Sequence, residues 1–209
     1  MALILALCSG LVWAQDEALY PDPPPANAAF VRFVDAGAVS NAVDVTLADV
    51  TYILEPLGFT PYRPIIEGES SWQALGSVGT LTLAAQGFYT VVLRDGADGV
   101  SALLIEDILH DNRARTLLML YNLTDVSELY LKTADGSVDI VSAVTPDTVG
   151  GIQVNPIAVD LGVFELASDT PIATFEGVTL AQGAVYSTFV VATGDTYYAV
   201  FVATETVLE

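Results

Sequence analysis

Apolar and polar residues alternate along most of the chain in short runs, and glycine, proline, aspartate and asparagine separate the runs. Side chains of a strand point alternately to its two faces, so a period of two predicts β-strands with one buried face. In the first half the predicted strands are 29–34, 42–47, 51–54, 63–66, 71–75, 79–84, 88–93 and 101–106. In the second half they are 116–121, 128–133, 137–142, 150–154, 157–164, 171–174, 177–180, 184–192 and 197–203.

The clearest hairpin runs from Leu129 to Val141, where two alternating apolar segments are joined through Asp135-Gly136. This pair tolerates positive φ angles in a tight turn. We therefore expect a positive φ at Gly136.

The two halves of the chain repeat one another in order. In each half an apolar strand ends in a turn-forming polar residue, Asp35 in the first and Asn122 in the second. The next strand ends in Ala-Asp, at 48–49 and again at 134–135, an offset of 134 − 48 = 86. Leu81 to Gly87 is similarly matched by Val178 to Gly183. Preserved order of such matches indicates a duplication.

Short strands with frequent turn residues are typical of antiparallel β-sandwiches. The sequence predicts an all-β protein with two tandem antiparallel β-sandwich domains, at 28–111 and 112–209. Their junction is predicted at 107–114, where the segment His110 to Arg115 interrupts the alternation and concentrates charge.

The first 27 residues do not fit a sandwich. Residues 1–14 form a short apolar run ending in Val-Trp-Ala, which predicts a secretory signal peptide. A membrane anchor is disfavoured because the run is shorter than the about twenty residues needed to span a bilayer. Residues 15–27 read as a proline-rich arm that carries the apolar pair Leu19-Tyr20. Cleavage after Ala14 would remove Cys8 and leave no thiol.

The chain has 6 Lys and Arg against 26 Asp and Glu, a formal net charge of −20. Nucleic acid is excluded as a partner, because its affinity depends on cations that neutralise phosphates. Binding to other polyanions is disfavoured for the same reason. Alternatively, the acidity only confers solubility.

Candidate catalytic chemistry is sparse. The single histidine, His110, stands beside Asp111, but adjacent residues of an extended chain point to opposite sides. There is no Gly-x-Ser-x-Gly motif and no Gly-Asp-Ser block with a later Asp-x-x-His, so no catalytic residue is assigned. No metal or cofactor is predicted, and Asp95 to Gly99 fits a hairpin turn better than a calcium loop.

Aromatic residues offer an alternative function as a carbohydrate-binding module, in which exposed rings stack on sugars. The candidates are Tyr52, Phe59, Tyr62, Trp72 and the pair Tyr197-Tyr198. Core packing and cross-strand pairing are the favoured interpretation of these rings.

Several separated segments resemble the AlgF family of periplasmic alginate O-acetylation proteins, over nearly the whole mature chain. They are the 129–141 hairpin, Ala18-Leu19-Tyr20-Pro21, Ala29-Phe30-Val31-Arg32, Asn155 to Val159 and Val178 to Gly183. The resemblance implies a non-catalytic adapter that holds together the SGNH-type proteins AlgJ and AlgX, and the membrane acyltransferase AlgI. Alternatives are a subunit that acetylates alginate directly and an alginate-binding module. Because alginate is a polyuronate, the charge predicts weak or no direct binding to it.

The residues expected to dock partners are Leu19 and Tyr20 in the arm, and His110, Arg113 and Arg115 at the junction. Members of the family carry several lysines at this junction. Here only the two arginines are present.

Overall fold

Sixteen β-strands make up the regular structure of the computed structural model, which describes residues 23–166 and 168–207. The first eight are β1 (Ala28–Asp35), β2 (Val43–Leu47), β3 (Val50–Leu54), β4 (Arg63–Ile66), β5 (Gly68–Ala74), β6 (Ser77–Leu83), β7 (Phe88–Gly96) and β8 (Gly99–Glu106). The second eight are β9 (Thr116–Leu123), β10 (Leu129–Thr133), β11 (Asp139–Val144), β12 (Thr148–Val154), β13 (Ile157–Glu165), β14 (Ala173–Leu180), β15 (Val185–Thr193) and β16 (Thr196–Ala203). Within the described ranges no helix is long and apolar enough to cross a bilayer.

The strands form four sheets of four strands each. The first sandwich pairs the sheet β4-β1-β7-β8 with the sheet β3-β2-β5-β6, and the second pairs β12-β9-β15-β16 with β11-β10-β13-β14. This confirms the predicted all-β fold of two tandem β-sandwich domains. Adding eight to each strand number of the first sandwich gives the topology of the second, as expected of a duplication.

One strand pair in each sandwich is parallel. β1 runs parallel to β7, and β9 runs parallel to β15, whereas every other neighbour pair within these sheets is antiparallel. Between β1 and β7 the chain forms all four strands of the opposite sheet and the edge strand β4, and it then re-enters beside β1 in the same direction. The antiparallel sandwich predicted from sequence therefore has one parallel exception per domain.

The predicted strands correspond closely to the observed ones, with one difference in the second sandwich. The segments predicted at 171–174 and 177–180 belong to the single strand β14. Its pairing with β13 shifts register between Val159 and Leu161, and Gly177 has φ of +66°. A β-bulge thus produced the apparent break. The predicted positive φ at Gly136 is confirmed at +72°.

Each sandwich has its own apolar core. Phe33, Val45 and Leu54 are among the fully buried residues of the first, and Leu118 and Leu131 of the second. All eight residues of β9 are buried, because one face of this strand packs inside its sandwich and the other packs against the first sandwich. The four sheets consequently stack as successive layers.

Equivalent polar residues close the first strand of each sandwich. Asp35 is buried and accepts hydrogen bonds from the backbone N–H groups of Ala38 (2.8 Å), Val39 (3.0 Å) and Leu57 (2.8 Å). Asn122 is also buried and fixes the following loop through its own side chain. These are the turn-forming residues whose recurrence indicated the duplication.

The predicted signal peptide and residues 15–22 of the arm lie outside the described residues. β8 ends at Glu106 and β9 begins at Thr116, so the connection between sandwiches is short. The exact limits proposed for the domains stay predictions.

Ile65 and Ile53 provide a matched test of the first core, being 3% and 69% exposed respectively. Ile65→Ala is expected to lower the free energy of unfolding by about 2–5 kcal/mol, because it removes buried methylene groups and leaves a cavity. Ile53→Ala is expected to change it by less than about 0.5 kcal/mol. Urea denaturation measures both, and equal effects would contradict the assignment of this core.

Candidate functional site

The two sandwiches meet through the sheets β4-β1-β7-β8 and β12-β9-β15-β16, which we call the inner sheets. We call this contact the seam. A buried apolar cluster spans it, contributed by Val34, Val92, Ile105, Leu117, Met119, Tyr121, Leu123, Phe189 and Val191. Because residues of both sandwiches belong to one continuous cluster, water is excluded from the seam. The sandwiches therefore form one packed body.

A buried charge from the first sandwich lies at the centre of the seam. Arg32, on β1, is 1% exposed, and Asp107, just after β8, is 5% exposed. Two hydroxyl groups connect them. Thr90 accepts from Arg32 Nε (2.9 Å) and donates to Asp107 (2.8 Å), and Tyr121 accepts from Arg32 Nη2 (2.7 Å) and donates to Asp107 (2.7 Å). Tyr62 donates a further hydrogen bond to Asp107.

The second sandwich supplies the remaining acceptors for Arg32. Ser187, on β15, accepts from Nη2 at 3.0 Å, and Thr204, just after β16, lies 3.4 Å from Nη1. The guanidinium carbon also lies 4.5 Å from the ring centroid of Tyr62 and 4.8 Å from that of Phe189. Cation–π contacts gain strength when water is excluded, so these rings add to the stabilisation of the buried charge.

Burial and charge set the protonation states in the seam. Burial alone would lower the pKa of Arg32, but its interactions with Tyr121, Tyr62 and Asp107 outweigh burial and raise the pKa above its ordinary value. Burial raises the pKa of the Tyr62 and Tyr121 phenols well above their usual range, although nearby Arg32 opposes the shift. The network therefore contains a charged guanidinium and two neutral phenols at neutral pH.

The C-terminal segment crosses back over the seam. The N–H of Tyr62 donates to Glu205 O (3.0 Å), and the N–H of Val207 donates to Tyr62 O (2.8 Å). Residues of the second sandwich thus pair with the backbone just before β4. This backbone pairing joins the sandwiches independently of the Arg32 network.

A pocket of about 460 Å³ opens at one end of the seam, and we call it the junction pocket. Phe88, Ile108, Met119 and Val185 give it apolar walls. Its lining also includes Tyr62, Leu109, His110, Asp111, Arg113, Gly183, Thr204 and Thr206. Two of the junction residues predicted from sequence, His110 and Arg113, are therefore brought to one concave surface.

The other three predicted docking residues do not share one location. Arg115 lies beside this pocket, where its Nη1 donates to Gln153 O at 3.1 Å and its own carbonyl lies 3.1 Å from His110 Nε2. Leu19 and Tyr20 lie outside the described residues. The docking role of all five residues stays a prediction.

The surroundings of His110 show what its imidazole can do. Because a carbonyl oxygen only accepts, contact with Arg115 O requires the proton on Nε2 and leaves Nδ1 as the second nitrogen. Asp111 accepts a hydrogen bond from Gln153 instead of orienting the imidazole. No hydrogen bond joins His110 to a Ser, Thr or Tyr hydroxyl among the described residues, so a nucleophile–base pair is not assembled there.

Three of the six aromatic candidates for sugar stacking are buried. Tyr52, Tyr62 and Trp72 are 2%, 1% and 6% exposed, as the core interpretation predicted. Phe59 is 38% exposed, and its ring lies 5.9 Å from that of Phe189 across the seam. Tyr197 is half-buried and Tyr198 is 46% exposed. The two exposed rings, Phe59 and Tyr198, therefore belong to different sandwiches.

Sequence reasoning missed the Arg32 network altogether. Its members come from segments far apart in the chain, and no local pattern connects them. One signal was available, because Arg32 is one of only 6 cations and interrupts the otherwise apolar run from Ala28 to Val34. The described residues contain no cluster of His, Cys, Asp and Glu that could hold a metal ion.

Together these features define a tandem β-sandwich protein whose domains are fused by a buried polar network. The model of the family described as "Alginate O-acetyl transferase AlgF" matches residues 2–187. The chain belongs to the AlgF family, which confirms the resemblance seen in its sequence.

Curated relatives agree over most of their length. The alginate biosynthesis protein AlgF of Azotobacter vinelandii is 30% identical over 185 residues, covering 87% of this chain and 81% of the relative. The protein of the same name from Pseudomonas aeruginosa is 29% identical over 194 residues, covering 92% and 86%. A solved structure of the C-terminal domain of AlgF from P. aeruginosa is 34% identical, covers 43% of this chain and 98% of that domain, and has a TM-score of 0.39.

Arg32→Met tests the network. The substitution keeps an unbranched side chain but leaves Asp107 buried without a cation, and it is expected to lower the free energy of unfolding by about 3–5 kcal/mol. In urea denaturation the two sandwiches are expected to unfold in separate steps, because the seam is weakened more than either core. Arg63→Met on β4 is the control, with a smaller loss and one transition; a single unchanged transition in Arg32→Met would contradict the proposed coupling.

Alkaline pH is expected to destabilise the protein. The folded state holds the pKa of Tyr52, Tyr62 and Tyr121 above the ordinary value of 10.0, chiefly through burial. Above pH 10 the unfolded chain releases these protons first, so stability is complete below that pH and falls as the pH rises, by about 1.4 kcal/mol per pH unit for each tyrosine. Urea denaturation from pH 9 to 11 measures the slope, which Tyr52→Phe should reduce; an unchanged slope would contradict this assignment.

Proposed function

We propose that the protein is a periplasmic adapter of the alginate O-acetylation machinery. In this role it holds acetyltransferase components together during export of the polysaccharide and does no chemistry itself. Membership of the AlgF family supports the wider role in alginate biosynthesis and O-acetylation. The partners proposed are proteins of the AlgJ and AlgX type and the membrane acyltransferase AlgI.

The observation that carries this proposal is the seam. An adapter must hold two binding surfaces at a fixed separation, and a packed interface between domains restrains the motion that a bare linker would allow. Here the apolar cluster, the Arg32 network and the pairing of the C-terminal segment with Tyr62 all join the sandwiches. The outer sheets of both domains remain available for contacts with other proteins.

The chemistry of the described residues favours an adapter over an acetyltransferase subunit. Acyl transfer requires a nucleophile within hydrogen-bond reach of a base. The histidine contacts a backbone carbonyl, and the buried Asp107 accepts from three hydroxyls that hold the seam together. The hydrogen bonds of Asp107 therefore stabilise the contact between the two sandwiches.

The charge of the chain indicates what its partners offer. With a formal net charge of −20, long-range electrostatics favour a partner with a basic surface and oppose the polyuronate itself. Complex formation is therefore expected to weaken as salt rises, because exposed charges are screened within about 10 Å at 0.1 M. The arm residues Leu19 and Tyr20 are proposed as a second contact with the partners.

Co-expression of the tagged full chain with AlgJ and AlgX homologues of the same organism tests the adapter role. The wild-type protein is expected to retain these partners on purification. His110→Ala, in which Arg113 is still present, is expected to leave alginate acetylation largely intact. A general base usually contributes a hundredfold or more in rate, so loss of its imidazole would be evident. Acetyl content of the secreted polymer measures the outcome.

Two results would contradict the proposal in different ways. If His110→Ala were folded and bound its partners but abolished acetylation, a catalytic role would replace the adapter role. If the wild-type protein retained no partner at low salt, while alginate oligomers bound to it, the polysaccharide-binding alternative would be favoured.

A further inference from the structure

We infer that the junction pocket receives a segment of a partner protein that carries an Asp or Glu carboxylate beside an apolar side chain. This inference rests on the proposed adapter function and names the chemistry of one of its contacts. Arg113 and His110 would bind the carboxylate, and the apolar walls of the pocket would receive the neighbouring side chain.

Arg113 stands apart from the other cations of the chain. Each of the others has a polar or charged partner: Arg32 in the seam, Arg63 with Thr51 O, Arg94 with Asp147, Arg115 with Gln153 O and Lys132 with Asp139. The guanidinium of Arg113 forms no hydrogen bond or ion pair with the described residues. In a protein with 26 acidic residues and 6 cations, a cation with neither a polar nor a charged partner among the described residues is an exception.

The acids nearest to this pocket are already engaged by neutral groups. Asp111 accepts from the side-chain amide of Gln153, and Asp107 accepts from the hydroxyls of Tyr62, Thr90 and Tyr121. Neither forms an ion pair with Arg113. The pocket therefore presents an available cation despite the acidity of the whole chain, and arginine binds a carboxylate through paired N–H donors.

His110 adds a second group suited to an anion. Its Nε2 is committed to Arg115 O, so Nδ1 is the nitrogen available to a ligand, and it becomes a donor when the ring is protonated. A carboxylate bound beside a protonated ring would accept a hydrogen bond from Nδ1. The residues of the junction that could oppose or assist this charge are Asp111, Arg113 and Arg115.

The shape of the pocket favours a peptide over a small free acid. Its volume of about 460 Å³ lies within the range of ligand sites. Leu109 lines the pocket and is 55% exposed, so apolar surface continues outward from the walls formed by Phe88 and Met119. A segment longer than the pocket would cover Leu109, whereas a small acid would leave it in water.

The pocket contains unusually convenient probes for an experiment. His110 is the single histidine, and Met119 is one of 2 methionines, the other being Met1. Spectra of the full chain labelled at methionine methyl groups and histidine rings would be recorded during titration with the peptide acetyl-Asp-Leu-Phe-amide. Two comparison ligands are titrated in the same way. The peptide acetyl-Asn-Leu-Phe-amide lacks the Asp carboxylate, and the small acid phenylacetate lacks the peptide chain.

We expect the Asp peptide to shift both the Met119 and the His110 signals in a saturable manner. Binding should weaken at least about tenfold for the Asn peptide, for phenylacetate and for Arg113→Gln, since each lacks part of the interaction. Lys132→Gln, which removes a distant cation, should bind like the wild type. Arg113→Gln should also weaken retention of the AlgJ or AlgX homologue without loss of folding.

The inference is overturned if the Asp and Asn peptides bind equally, or if neither shifts the two signals. Tighter binding of phenylacetate than of the peptide, with partner retention unaffected by Arg113→Gln, would instead identify a small-acid site. Full partner retention in Arg113→Gln would overturn the pocket while leaving the adapter role intact. Failure of the wild-type protein to retain any partner would count against the adapter role itself.

Discussion

The buried pair formed by Arg32 and Asp107 constrains the rest of the structure. Moving either charge out of water costs several kcal/mol, and that cost is recovered only when every donor and acceptor is satisfied. Both charges belong to the first sandwich, but Tyr121 and Ser187 of the second complete their hydrogen bonds. The network is therefore complete only when the sandwiches are docked, so the arrangement of domains is linked to the stability of each.

The duplication explains why such a seam exists. A parallel strand pair lies in the middle of each inner sheet. The four strands of these two pairs pack on both faces, one face inside the sandwich and the other against the neighbouring domain. Strands buried on both faces need continuous apolar runs, as in β9, where all eight residues are buried. A single sandwich with such a sheet would expose one apolar face, so the two copies cover each other.

Local patterns in the sequence accounted for most of the fold. Alternation located the strands of the first sandwich, and the recurrence of Asp35 and Asn122 indicated the repeat, because strand periodicity and turn chemistry are local properties. The bulge at Gly177 was taken for a strand end, since a bulge interrupts alternation without ending a strand. The contacts among Arg32, Thr90 and Tyr121 depend on docking of distant strands, which no local pattern records.

Acidity and the seam together explain where recognition can occur. Acidic residues are distributed along the chain, whereas four of the 6 cations are bound to a carboxylate or a carbonyl and Arg32 is buried in the seam. Arg113, whose guanidinium has no hydrogen bond or ion pair with the described residues, lies where the sandwiches join, on a concave surface with apolar walls. The domain junction is thus the place at which the fold concentrates both shape and charge. A partner that binds at this junction would recognise the docked arrangement of the two domains, because neither sandwich alone supplies all the residues of the pocket.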